Sequence, residues 1–289
     1  MKIDGKAIAA ELFQNLYQQI TLLKEKNITP HIAIILVGDN PASVSYVKRK
    51  KMKAEELGAK ATILNYELRI TNEELLETIE QLNNDKHIHG IIIQRPLPKH
   101  IDTESINQAV LPTKDIDAFH ANTSFDMPLA KAALMLLENV LTLEILKQVQ
   151  DDIKTGMTFK IWLQSKNIVV VGKGETGGGP IITLLKKYGI TPTIIDSRTK
   201  DPLKLTKQAD IIISAVGKEN VIIPEMIKKD VILISIGQHK QKDGKFHGDY
   251  EEESIKDIAA YYSPTPGGVG PVNVACLLDN LIQATQRQT

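Results

Sequence analysis

Tyr46 and Lys50 stand four residues apart in "YVKRKKMKAEELG" (46–58), a spacing that puts both side chains on one face of a helix. An ammonium so placed can transfer protons, and a phenol ring beside it can orient a flat substrate. The same segment packs five Lys/Arg into residues 48–53, a run that equally fits a solvated face or contact with a polyanion. Lys53 lies on nearly the same side as Lys50, whereas Lys48, Arg49 and Lys51 face other directions. Val44, Val47, Ala54 and Leu57 form the stripe to be buried. Gln94 follows an apolar strand at its C-terminal end, where α/β proteins place ligands. "KDIDAF" supplies Asp115 and Asp117, two residues apart; such a carboxylate can accept hydrogen bonds from the N–H groups of a heterocycle, while Asp115 also reads as a loop cap. No His/Cys/Glu cluster of ligand spacing accompanies the pair, so no metal is expected.

A second set of residues suits a nucleotide. "VVVGKGETGGGP" matches G-x-G-x-x-G at Gly172, Gly174 and Gly177, directly after an apolar strand and before a helix. Glycines there let main-chain N–H groups and a helix N-terminus approach a pyrophosphate. Asp196 ends the next strand, 24 residues after Gly172. An acid at that point can bind a ribose 2′-OH and favours NAD, whereas the cations Lys173 and Arg198 favour NADP. Asp196 also reads as a cap on the turn "DSRTKD".

The elements that must hold these residues follow from periodicity. Ile8, Leu12, Leu16 and Ile20 mark a helix over 4–25 with one buried face. Strands are expected at 31–38, 61–68 and 88–98, with helices over 42–57 and from Thr71 to about residue 83. Residues 127–166 are mostly helical in pattern. Alternation then resumes with strands at 167–172, 191–196, 209–217 and 230–237, helices through Tyr188 and near 202–208, and a last helix from "NVACLLDNL" that returns to the first domain. The fold class is α/β: two α/β domains, the second Rossmann-like.

Composition limits the partners. The 289 residues are 42% hydrophobic and carry 35 Lys+Arg against 35 Asp+Glu, which argues against a general nucleic-acid binder. Cys276 is the single cysteine, which excludes an internal disulfide and fits a reducing cytoplasm. No apolar run reaches the ~20 residues needed to cross a bilayer, so no membrane association is expected.

Taken together and in order, "NPASVSYVKRKKMKAEELG", "GIIIQRPLP", "KDIDAF" and "SPTPGGVGPVNVACLLDN" resemble the bifunctional methylenetetrahydrofolate dehydrogenase/methenyltetrahydrofolate cyclohydrolase family over nearly the whole chain. The resemblance implies NADP-dependent oxidation of 5,10-methylenetetrahydrofolate and hydrolysis of the methenyl product to 10-formyltetrahydrofolate. It implies Lys50 as acid/base, Gln94 as its hydrogen-bond partner, Tyr46 stacking on the substrate and Asp117 holding the pterin. Pro266, Gly267, Gly268 and Pro271 belong to a loop that closes over the folate. Gly172, Lys173, Gly174, Gly177, Gly178, Asp196, Ser197, Arg198, Gly217 and Gln238 form the cofactor set. Residues 1–140 with 268–289 are the expected folate-binding catalytic domain, and 141–267 the NAD(P)-binding domain. The resemblance also implies a cleft between the two domains, an inserted helix within 138–166, where the linker is longer than is usual in the family, and a homodimer through the nucleotide domain.

Several positions depart from the family pattern. Ala118 stands for a glycine, and "MPLAKA" replaces a "PCTPxG" segment. Lys173 replaces an Arg, Gly174 a Ser and Asp196 a His, and "SIGQH" replaces "DVGIN". The departures cluster in the cofactor half, which motivates two rival readings: a cyclohydrolase with weak or NAD-shifted dehydrogenase activity, and a folate- or nucleotide-binding protein without turnover.

Overall fold

The computed structural model describes residues 1–149, 158–241 and 244–289. The chain forms two compact units, one of residues 11–128 with 274–289 and the other of residues 1–10 with 129–273.

The unit containing residues 11–128 is built on a three-stranded parallel sheet. Its elements in chain order are α1 (Gly5–Glu25), β1 (His31–Val37), α2 (Pro41–Glu56), β2 (Lys60–Tyr66), α3 (Asn72–Asn84), β3 (Gly90–Ile93) and α4 (Thr103–Ala109). β1 lies centrally between β2 and β3, and six of its seven residues are buried. A strand covered on both faces reads as a continuous apolar run, which is what "HIAIILV" is. Its side chains alternate: Ile32, Ile34 and Leu36 enter one core, Ala33, Ile35 and Val37 the other. Each fully buried isoleucine contributes roughly 1.5–3 kcal/mol. Leu277, Leu278, Leu281 and Ile282 of the last helix complete the first of these cores.

Local chemistry sets the element ends. Asn40 caps α2 by accepting from the amides of Ala42 and Ser43, with Pro41 in the first turn. Thr71 and Glu74 form a reciprocal capping box on α3.

The other unit carries α5 (Pro128–Val149), α6 (Phe159–Gln164), β4 (Ile168–Val171), α7 (Gly178–Lys187), β5 (Thr193–Ile195), α8 (Pro202–Gln208), β6 (Ile211–Ser214), β7 (Ile232–Ser235), β8 (His239–Lys240), β9 (Phe246–His247), α9 (Glu252–Ile255) and β10 (Tyr261–Tyr262), followed by α10 (Val269–Gln288). Its main sheet is parallel, in the order β10-β7-β6-β4-β5. The chain winds outward from β4 to β5, then crosses back to β6 on the other side of β4. That reversal is the topological switch point where such sheets bind ligands.

The α/β alternation and the parallel sheets agree with the sequence reading. The strands are shorter than expected: β3 ends at Ile93 instead of running to Pro98, because prolines cannot extend the ladder, and the Arg95–Pro96 peptide is cis. Periodicity does not mark α4, α9, β10 or the β8–β9 hairpin, all too short to show it. The helix expected within 138–166 corresponds to the end of α5 and to α6, and residues 150–157 between them lie outside the described residues.

Candidate active site

The unit containing residues 11–128 brings Lys50, Gln94 and Asp117 together. Lys50 Nζ donates to Gln94 Oε1 at 3.2 Å and lies 4.0 Å from Asp117 Oδ2. The Lys50 side chain is only 12% exposed, so its ammonium meets these partners largely out of bulk water. Gln94 is oriented in turn, its Nε2 donating 2.8 Å to the Arg95 carbonyl, which turns its oxygen toward the lysine.

Three elements fix this arrangement. α2 presents Tyr46 and Lys50, and buried Ser43 ties its first turn to the segment after β3 through Oγ to the Arg95 carbonyl, 3.4 Å. β3 delivers Gln94 at its C-terminal end. Residues 114–115 run beside β3, with Ile91 N–H donating to the Lys114 carbonyl at 2.7 Å. Lys114 anchors the segment by donating to the carbonyls of Leu82, Asn83 and Asp85 at 2.7–3.0 Å, where α3 ends.

The two carboxylates of "KDIDAF" divide their roles. Asp115 is buried and caps its own loop, accepting from the amides of Ala118 (3.1 Å) and His120 (2.7 Å). Burial pushes its carboxyl above the ordinary range, against the pull of the His120 and Phe119 amides. Asp117 is left to face Lys50. Between Asp117 and Phe119 the backbone is left-handed, with Ala118 at φ +64°.

The other cations of α2 take separate partners. The Arg49 guanidinium covers the Tyr46 ring at 5.1 Å, so this charge is stacked rather than simply solvated. Lys53 pairs with Glu56 at 2.5 Å and sits over the Phe13 ring at 4.7 Å, apart from the Lys50 group. Arg95, Asn107 and Phe119 brace the site: Arg95 hydrogen-bonds Asn107 and lies 4.8 Å over Phe119. The sequence gives no cue for Arg95 or Asn107, since the contacts are long-range. Phe119 is visible only as the aromatic that closes "KDIDAF".

The nucleotide set assembles in the other unit. Gly172, at φ +89°, ends β4, and a Cβ on Gly178 would lie 1.9 Å from the Gly172 carbonyl oxygen. Only glycine permits that approach of turn to helix. Gly177 caps α7 without a side-chain hydrogen bond; in the first turn the Gly179 amide donates to the Gly174 carbonyl at 3.0 Å, and Pro180 has no N–H. Gly174 has open space around it, so the close packing that the motif assigns to its glycines falls on Gly172 and Gly178. These residues fit a pyrophosphate: a glycine-rich turn with open space at Gly174, leading into a helix N-terminus.

At the end of β5, Lys173 Nζ contacts Asp196 Oδ2 at 2.8 Å. Asp196 Oδ1 also accepts from Arg198 N–H at 2.9 Å and from Thr199 Oγ1 at 3.3 Å. Lys173 and then the Arg198 amide hold this carboxyl down to about 2. Asp196 is therefore both the turn cap and a paired ion, and Ser197 and Arg198 beside it are exposed. Gly217 follows β6 at φ +73°, and exposed Gln238 follows β7.

The loop before α10 is also in this unit. Gly267 has φ +106°, and a Cβ on Gly268 would meet the Pro264 carbonyl oxygen at 2.5 Å. Pro266 is exposed and Pro271 half-buried in the first turn of α10. Thr265 N–H donates to Glu252, which also pairs with Lys2.

A parallel sheet with a glycine turn at its switch point, and a second α/β unit that holds an ordered lysine–amide–carboxylate cluster, define an enzyme that uses a nicotinamide-type dinucleotide. Comparison with known proteins agrees. Residues 3–117 match the catalytic domain of tetrahydrofolate dehydrogenase/cyclohydrolase, and residues 153–289 its NAD(P)-binding domain. The chain belongs to the tetrahydrofolate dehydrogenase/cyclohydrolase family. It is 36% identical to the bifunctional protein FolD of Acidovorax sp. (strain JS42) over 285 residues, covering 99% of this chain and 98% of that one. Among solved structures, the bifunctional FolD dehydrogenase/cyclohydrolase of Campylobacter jejuni superposes with a TM-score of 0.89 at 33% identity, covering 100% and 99% of the two chains. The FolD enzyme of Trypanosoma brucei, solved with NADP and an inhibitor, gives 0.84 at 28% identity, covering 99% and 97%.

Proposed function

We propose that the protein oxidises 5,10-methylenetetrahydrofolate to the methenyl form with NADP and hydrolyses that product to 10-formyltetrahydrofolate. The single observation that carries this is the Lys50–Gln94–Asp117 cluster, in a chain of this family. NADP, when bound, supplies the hydride acceptor. Lys50 serves the hydrolytic step: its Nζ, held by Gln94 Oε1, takes a proton from the water that adds to the methenyl carbon and returns one to the ring nitrogen that departs. Asp117 accepts from the N–H groups of the pterin, and the Tyr46 ring orients the substrate's flat part. Pro266, Gly267, Gly268 and Pro271 supply a side-chain-poor surface for the folate.

For the cofactor, Gly172, Gly174, Gly177 and Gly178 take the pyrophosphate, with Gly217 and Gln238 on the same side of the sheet. Lys173, Asp196, Ser197 and Arg198 meet the ribose. Two cations against one carboxylate support NADP there. We assign residues 1–140 with 268–289 to folate binding and 141–267 to NAD(P); the family matches support this within 3–117 and 153–267, while the NAD(P)-domain match itself continues to 289. A cytoplasmic homodimer is the assembly we infer. Family likeness supports the dimer, and the lone cysteine, with no helix among the described residues long and apolar enough to cross a membrane, is consistent with the location.

The deciding experiment assays oxidation, with NADP and NAD side by side, and methenyl hydrolysis on the same preparation, and repeats both with Lys50→Ala. Hydrolysis lost in a folded variant is expected; hydrolysis undiminished removes Lys50 from the mechanism. A parent with neither activity overturns the reading.

A further inference from the structure

Asp249 stands outside every motif named so far, yet it is the most heavily ligated side chain beside the nucleotide site. It is fully buried. Its Oδ2 accepts from Ser214 Oγ at 2.6 Å and from Val216 N–H at 2.9 Å; its Oδ1 accepts from Gly217 N–H at 2.8 Å and from Lys218 N–H at 3.1 Å. Three successive amides and a hydroxyl thus converge on one carboxylate, the kind of nest that backbone loops usually offer to an anion.

The loop so held is the one that follows β6. It packs on the glycine turn after β4: a Cβ on Gly172 would lie 2.8 Å from the Ala215 carbonyl oxygen, and one on Gly177 would lie 3.2 Å from Ala215 Cβ. These two loops border the switch point of the sheet. Asp249 is itself fixed, since its N–H donates to Ser235 Oγ at 3.0 Å. Gly237 has to be glycine beside it, because a Cβ there would lie 2.3 Å from Asp249 Oδ1 and 2.2 Å from Gly217 N.

We infer that Asp249 is a positioning residue for the dinucleotide, acting through residues 215–218 to hold Gly217 and its neighbours against the glycine turn. The inference rests on the NADP reading above. Removing an acceptor leaves aligned, part-buried amides of residues 216–218 without their shared partner, which loosens the hold on the loop. The variant Asp249→Asn replaces an acceptor with a donor that faces other donors. Ser214→Ala removes a single bond of the four and leaves the carboxylate in place.

The test uses the full-length protein and measures NADP affinity by isothermal titration calorimetry, both catalytic activities, and folding by circular dichroism. Asp249→Asn is expected to raise the NADP Kd and the KM for NADP by about tenfold or more, with kcat of oxidation changed by less than about threefold. Methenyl hydrolysis stays within about twofold of the parent, because Lys50, Gln94 and Asp117 lie in the other compact unit and the step needs no dinucleotide. Ser214→Ala gives a smaller rise in Kd, about two- to fivefold, and decides the matter should Asp249→Asn fail to fold. Unchanged NADP affinity in a folded Asp249→Asn, or in Ser214→Ala when Asp249→Asn does not fold, overturns the inference. So does hydrolysis that falls in parallel with NADP binding. A parent that neither binds nor oxidises with NADP overturns the functional reading as well, whereas a competent parent with indifferent variants sinks only the role of Asp249.

Discussion

Lys50 donates to Gln94, and Gln94 donates to the carbonyl of the residue that follows it, so the amide cannot flip without losing both bonds. The lysine thus meets a neutral acceptor of fixed polarity. Gln94→Ala should lower methenyl hydrolysis by about 10- to 100-fold, less than the ~10³-fold expected for Lys50→Ala, because the proton carrier survives but loses its orientation. Gln94→Glu places a full negative charge one hydrogen bond from the ammonium and favours its charged form. Its hydrolysis–pH profile should therefore move to higher pH. A profile that coincides with the parent's would show that Gln94 does not act through Lys50.

Ala118 occupies a left-handed backbone at φ +64°, a conformation that costs a residue with a Cβ ~1–2 kcal/mol relative to glycine. Glycine also gains freedom in the unfolded chain, which offsets part of that. Ala118→Gly should raise stability by about 0.5–1 kcal/mol, read as a shift of the urea midpoint. Since Ala118 N–H donates to Asp115 through the backbone, the loop and its Asp117 should be undisturbed and hydrolysis unchanged. A lower midpoint would mean that the loop does not keep this conformation in solution.

His89 sits at the base of the same sheet, buried beside His31, whose backbone N–H donates to its Nδ1 at 3.2 Å. Burial first, then the charges of His31 and Lys114, hold its imidazole down to about 4. Unfolding restores a value near ~6.5, so between those limits the unfolded chain binds more protons and stability falls as pH drops. A loss of ~2–3 kcal/mol is expected from about pH 7 to pH 4 on this account. His89→Asn keeps an acceptor for the His31 amide and removes the titrating group. Urea titrations across that window should give a flatter curve for the variant; parallel curves would assign the acid sensitivity elsewhere.

On the cofactor reading proposed above, Asp196 keeps a carboxylate beside the 2′-phosphate of NADP, with Lys173 paired to it. Replacing it by Asn removes the repulsion and releases the lysine. The NADP Kd should fall by about five- to tenfold and the NAD Kd should change by less than about threefold, since the carboxylate repels a phosphate and not a hydroxyl. Weaker NADP binding in Asp196→Asn would make the carboxylate a ligand instead of an obstacle.

Much of this was open to reading in the chain. Isoleucine runs and helix caps located β1, α2, α3 and the glycine turn, because those features are local and strongly patterned. Tyr46, Lys50, Gln94 and Asp117 could be named, three of them through spacing or position on an element. The braces could not. Arg95 reaches Asn107 twelve residues on, and Asp249 gathers amides from more than thirty residues earlier in the chain, so neither leaves a periodic trace. The charge run at 48–53 shows the opposite hazard: a conspicuous composition dissolved into separate contacts with Tyr46, Gln94, Glu55 and Glu56.

The protein carries one tryptophan and one cysteine, and the two fall in different compact units. Trp162 is 2% exposed, with its indole N–H bound to Glu144 at 2.9 Å, and Cys276 is 2% exposed on α10. Tryptophan fluorescence, excited selectively over the seven tyrosines, therefore reports on the nucleotide unit alone, and the rate of thiol labelling on the unit that holds Lys50. The wild-type chain is its own two-channel reporter, able to tell without any added label which half opens first under denaturant and which half a given ligand protects.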